Sequence, residues 1–389
     1  MKVQLKFLAA GLFLLTAVMF TSCKKDGETE SATTVKQDKD NIQASFDAIK
    51  ANLTQFKAGS FYQAGIEFLN VKNGEALDDD WADQLGSRFG DIVDDENIIS
   101  SNRFNYSLLA GKYTWNSGSK TWSRTSSSNF IALFPASKTS ATNNCELGIK
   151  AYTDKSVSIE GETIYFPTTA NAYLKKDNTQ IMSFDFSASY NSNGFPTAAN
   201  AELYLKPVTT SVSLSRKTDT KYNFTFSVVN ENNKENALSI QSDVSFSNGI
   251  TNYTDFDDVQ ANTIQLALNQ GKLSINGTMD LKTFNELEDS RSDITASDIN
   301  KTINLEVLYN DQKIGTLKVE EVGDDFALFL VYKDGTEENT SIYYNSFVSD
   351  IESIFKSDLN VNSIKSVLKN QVVKAKVQKL KSKVLFWKK

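Results

Sequence analysis

The chain has 389 residues, of which 40% are hydrophobic, 11% aromatic and 23% charged, with a formal net charge of -7. This is a globular composition, too apolar and too aromatic for a disordered polymer. Histidine is absent and cysteine occurs twice, at Cys23 and Cys145. Histidine-based triads, histidine-ligated metal centres, imidazole proton shuttles and disulfide frameworks are therefore excluded, and no cofactor is implied. The acidic balance argues against a general nucleic-acid binder.

The first segment carries Lys2 and Lys6, an almost wholly apolar run from Phe7 to Phe20, and then Thr21-Ser22-Cys23. A run of about fourteen apolar residues is short for a transmembrane helix and matches the core of a signal peptide. Residues 1–22 are read as that signal. Phe20-Thr21-Ser22-Cys23, followed by Lys24-Lys25-Asp26, resembles the loose lipobox of Bacteroidota lipoproteins, with Phe20 and Ser22 departing from the usual Leu and Gly or Ala. The resemblance is confined to this start. It implies cleavage before Cys23, acylation of Cys23 and an outer-membrane location, periplasmic or extracellular. Several acyl chains anchor stably, because each buried methylene contributes about 0.8 kcal/mol.

Residues 23–34 are polar and form a tether behind the lipid. Residues 35–99 read as a helical region. Val35, Ile42, Phe46, Ile49, Leu53 and Phe56 define one apolar face, closed by Gly59. A short second helix is predicted after Asp80, with Trp81, Leu85 and Phe89 on one side. Asp78, Asp79 and Asp80 are a weak calcium candidate. They lack the Asp-x-Asp-x-Asp-Gly loop, and carboxylates at a helix start are more simply caps.

After Ser100 the apolar period becomes two, and 100–345 reads as an antiparallel β domain: a sandwich, a barrel or a curved sheet. Gly111 to Arg124 is a hairpin with its turn at Ser117-Gly118-Ser119, which sets Trp115 nearly opposite Trp122. Alternating runs recur at Met182–Tyr190, Tyr222–Val228 and Ile303–Tyr309, with turns at Asn310-Asp311 and Lys333-Asp334-Gly335. Roughly a dozen strands are predicted, and no helix-length pattern alternates with them, which disfavours parallel βαβ units. Lys206-Pro207 is the alternative boundary for a split. Trp81, Tyr113, Trp115 and Trp122 are candidate sugar-stacking rings; aromatic pairs on a hairpin are more often core or sheet stabilisers. Cys145 reads as a buried small hydrophobe without an activating base.

Residues 346–389 are predicted as a helical region. Val373, Val377, Leu380, Val384 and Trp387 recur at alternating intervals of four and three, flanked by Lys369, Lys376 and Lys383 on one side and Lys374, Lys381 and Lys388 on the other. Like charges on both flanks oppose self-pairing. This stripe is matched to the protein's own acidic body, or to anionic lipid, lipopolysaccharide or an acidic protein. Function reads as non-catalytic binding or scaffolding in the cell envelope. A lipid or lipoprotein carrier with an apolar cavity, a glycan-binding accessory protein and, last, a carboxylate-dependent hydrolase are the alternatives.

Overall fold

The computed structural model describes residues 34–68, 99–100, 103–137, 139–140, 142–159, 161–252, 259–290, 294–323, 325–343, 345 and 354. The signal, Cys23, Asp78, Asp79, Asp80, Trp81, the helix predicted after Asp80 and the basic C-terminal stripe lie outside the described residues.

The chain is mainly β. Helix α1 (Val35–Ala58) and helix α2 (Ser60–Phe68) come first, then a two-stranded ribbon, β1 (Ile99–Ser100) with β2 (Arg103–Phe104), and the single turn α3 (Tyr106–Leu109). The strands of the main sheet begin with β3 (Gly111–Asn116), β4 (Thr121–Thr125), β5 (Phe130–Phe134), β6 (Cys145–Ile159), β7 (Glu162–Lys176) and β8 (Thr179–Tyr190). They continue through β9 (Pro196–Leu205), β10 (Val208–Thr218), β11 (Lys221–Asn230), β12 (Leu238–Phe246), β13 (Ala261–Gln270) and β14 (Leu273–Asp280). Helices α4 (Leu281–Ser290) and α5 (Ala296–Thr302) intervene before β15 (Ile303–Tyr309), β16 (Gln312–Val322), β17 (Asp325–Tyr332) and β18 (Glu337–Asn339). Together β3–β18 form one open sheet of 16 strands, in which consecutive strands from β5 to β18 lie side by side and β3 stands between β5 and β4. The sheet is mostly antiparallel; β3 and β5 run parallel, from Gly111 opposite Phe130.

Local chemistry explains the turns. The β3–β4 hairpin pairs Trp115 with Trp122 as its alternation predicts. Asn310 and Asp311 both take positive φ, the two-residue turn that keeps the strands twisted together. Lys206-Pro207 is the corner between β9 and β10, which pair directly from Leu205 opposite Val208. Helices α4 and α5 have no counterpart in the strand-period reading. Their local signal is Thr295 with Asp298: the Thr295 hydroxyl accepts from the Asp298 N–H while the Asp298 carboxylate accepts from the Thr295 N–H, a capping box.

Two compact units are present. One takes described residues within 1–56, 157–163 and 185–351, the other those within 57–156, 164–184 and 352–389. In the first, the apolar side of α1 (Ile42, Phe46) packs on Leu266, Leu268, Leu273, Ile275, Leu305, Val307 and Leu330, all from one face of β13–β17. Asn230 donates to Gln55 at 2.8 Å and Gln270 donates to the Ser45 carbonyl at 3.0 Å, pinning the helix along that face. Farther along the strands Phe284, Ala296 and Ile299 cover Val319, again on this face. In the second unit Trp115, Phe134 and Cys145 form one cluster, and Leu109, Tyr113, Phe130 and Ala132 another.

Candidate binding surface

Of the residues proposed from the hairpin, Tyr113 and Trp115 sit in the second unit's core and Trp122, partly buried, packs against it. Trp115 is 5% exposed and meets Trp122 edge to face, with ring centroids 5.4 Å apart at 67°. Tyr113 is buried against Phe130 (5.4 Å), donates its hydroxyl to the Leu109 carbonyl at 3.1 Å and is covered by the Arg124 guanidinium at 5.4 Å. Arg124 in turn donates to the Leu108 and Ala110 carbonyls. These rings fasten α3 to the hairpin. Cys145 is buried, and burial pushes its thiol up to about 11, so it is held as the unreactive neutral form.

On the reverse face of the same strands, Tyr173 lies over Gly148, where a Cβ would come within 2.3 Å of its ring. The Tyr173 hydroxyl donates to Glu146 at 2.7 Å, and the Lys150 and Lys175 ammoniums stand 4.9 and 4.7 Å from the ring centroid. In the first unit, Glu338 accepts from Lys39 (2.5 Å), Tyr332 (2.7 Å) and Tyr343 (2.6 Å). Burial alone would raise the Glu338 carboxyl, but these three donors outweigh it and hold it below the ordinary carboxylate range. Burial, reinforced by Glu338, pushes both phenols up. Each of these groups ties strands or a helix together. Among the described residues, no three acidic or cysteine side chains converge as a metal site.

The surface that is not used in this way lies on β9–β11. The side chains of Ala199, Ala201, Leu203, Val212, Leu214, Phe224, Phe226 and Val228 share one face through the pairs Ala201–Val212–Phe226 and Ala199–Leu214–Phe224. Phe226 stands opposite Ile240, and Ile240 opposite Leu268, so this face is continuous with the one under α1. No residue of β9 or β10 is buried; Val212 is 50% exposed and Phe224 39%. The reverse face, from β10 on to β13, is a polar ladder, with hydroxyl pairs Ser213–Thr225 and Ser245–Thr263 at 2.5 Å and Asn223 donating to Asp243 at 2.8 Å. A single sheet layer thus has one polar side and one apolar side.

The strip has polar ends. At one end, Asn230 and Asn233 donate to the side chains of Gln55 and Asn52. At the other, Arg216 pairs with Asp219, and Phe195, Tyr222 and Ile250 close the face, with the Tyr222 hydroxyl donating to the Ile250 carbonyl at 3.0 Å. The alternation at Tyr222–Val228 predicts the strand and its apolar side; it carries no signal for whether another element covers that side. No family model matches this chain, and no curated protein or solved structure does so either. Among the described residues no helix is long and apolar enough to cross a membrane.

Proposed function

We propose that the protein is a non-catalytic binding lipoprotein of the bacterial outer membrane, held by acyl chains on Cys23 and using the open β9–β11 strip as its working surface. The observation that carries the binding reading is the strip itself. Apolar side chains on three adjacent strands stay half-covered beside a face that α1 and α5 otherwise bury. The leader and lipobox-like sequence support the anchor. Non-catalytic binding agrees with the roles of the ionisable clusters, which brace strands and helices.

The test is fractionation and recovery of native protein. Cys23→Ser releases the protein from the membrane fraction; palmitate incorporation persisting in that variant refutes the anchor. Val212→Glu, on a correctly folded and anchored protein, depletes the molecules that mass spectrometry finds co-purifying with it. An unchanged set of co-purifying molecules refutes the strip as the working surface.

A further inference from the structure

Resting on the strip as the binding surface, we infer that its occupant is the alkyl chain of an amphiphile, lying along β10 between the two polar ends. Between Val208 and Leu214 the strip runs about 20 Å at the rise of an extended strand, the scale of a long fatty-acyl chain. Along that length the face formed by Ala201, Leu203, Val212, Leu214, Phe224 and Phe226 carries no charged side chain, and Thr210 supplies a lone hydroxyl. A protein surface seated here would have to satisfy its own polar backbone against a floor without donors or acceptors other than that hydroxyl. An alkyl chain has no such groups, so laying it on this floor removes apolar surface from water and leaves no polar group unsatisfied.

The polar groups fall where an amphiphile ends. The amide cluster of Asn52, Gln55, Asn230 and Asn233 closes one end, and the Arg216–Asp219 pair the other. The amide end suits an uncharged hydroxyl or ester headgroup, since it offers neutral donors and acceptors. The Arg216 end suits a carboxylate or phosphate in exchange for Asp219. Both orientations place alkyl carbon on Val212 and Phe226. The shared recognition element is the chain, and the headgroup is read by the test.

The experiment uses the full mature chain bearing Cys23→Ser, free of detergent, so that the reporter meets no competing acyl groups. Dansyl-undecanoic acid is titrated by fluorescence, then displaced with palmitate, monopalmitoylglycerol or octanoate. Saturable binding at one site is expected, with displacement by both sixteen-carbon ligands and at least tenfold weaker displacement by octanoate. Palmitate displacing at least tenfold better than monopalmitoylglycerol assigns the headgroup to Arg216; the reverse assigns it to the amide end. Val212→Glu should weaken the reporter at least tenfold, Val212→Thr should do so partially, and Thr209→Glu, on the polar face of the same strand, should not. Circular dichroism and sedimentation accompany each variant, and Val212→Thr keeps the test informative where the glutamate variant unfolds.

Absence of saturable binding, or equal binding by the Val212 and Thr209 variants, overturns the inference. So does a concentration-dependent dimer that Val212→Glu dissociates, which would make the strip an interface between copies. If no alkyl reporter binds while Val212→Glu still depletes a co-purifying protein, the alkyl inference fails and the binding surface stands.

Discussion

Phe46→Ala tests whether α1 is an integral cover of the sheet. Phe46 is 6% exposed, belongs to the cluster with Leu268, Leu273 and Leu305, and stacks on Tyr343 with centroids 5.7 Å apart and ring planes 7° from parallel. Truncating a buried phenylalanine removes its transfer energy and leaves a cavity, about 3–5 kcal/mol together. The stacked pair supplies about 0.5–1.5 kcal/mol of that beyond area, which a double-mutant cycle with Tyr343→Leu isolates. Guanidinium unfolding followed by far-ultraviolet circular dichroism gives the loss, and an unchanged slope shows that the cooperative unit is intact. A loss below about 1 kcal/mol would refute the packing of α1 on β13–β17, since no buried phenylalanine in a close-packed core is removed so cheaply.

Glu338→Gln should cost about 1.5–3 kcal/mol at neutral pH, the worth of hydrogen bonds to a charged group. In the wild type the depressed Glu338 carboxyl contributes stability that is present above the unfolded value near 4.3 and lost as pH falls through the folded value. The variant should flatten that acid limb in melts taken between about pH 5 and 3. The raised phenols of Tyr332 and Tyr343 give the opposite limb, with stability present below about pH 10 and lost above it; Tyr332→Phe should shrink it. Gly148→Ala drives a methyl into the Tyr173 ring and should cost about 1–3 kcal/mol, with Tyr173→Ala in the same chain recovering part of it in denaturant midpoint. Cys145, neutral and buried, should react with a thiol reagent at pH 8 far more slowly in native than in unfolded protein, and Cys145→Ala should cost about 1–2 kcal/mol by the same unfolding assay.

Strands and turns were the most legible part of the fold, because their signals are local. The pairing of Trp115 with Trp122 follows from the turn length, and the left-handed Asn310-Asp311 turn follows from residues that tolerate positive φ. The helix from Val35 was legible from one apolar face. Helices α4 and α5 were not, because each is short and offers few apolar side chains to the core, Phe284 from one and Ala296 and Ile299 from the other; the Thr295–Asp298 box was the available cue. The parallel pairing of β3 with β5 is a non-local choice that no local pattern encodes. The aromatic residues of the hairpin could be named but not oriented, since a buried and an exposed ring have the same spacing. The β9–β11 strip shows the same limit from the other side: alternation tells which side chains share a face, and only the packed chain tells whether that face is covered.

The run of sequence-adjacent strands from β5 to β18 also bears on how the chain acquires its structure. Most of these neighbours are joined by short turns and can zip in order at low loop-closure cost, whereas β14 and β15 must close across α4 and α5. Helix α1 is the opposite case. Lys39 meets Glu338 across 299 residues, so α1 must wait for β17 and β18 before its apolar side has a complete seat. Until then Ile42 and Phe46 remain available to other apolar surfaces, and the interval between early synthesis and late docking is when a chaperone has most to protect.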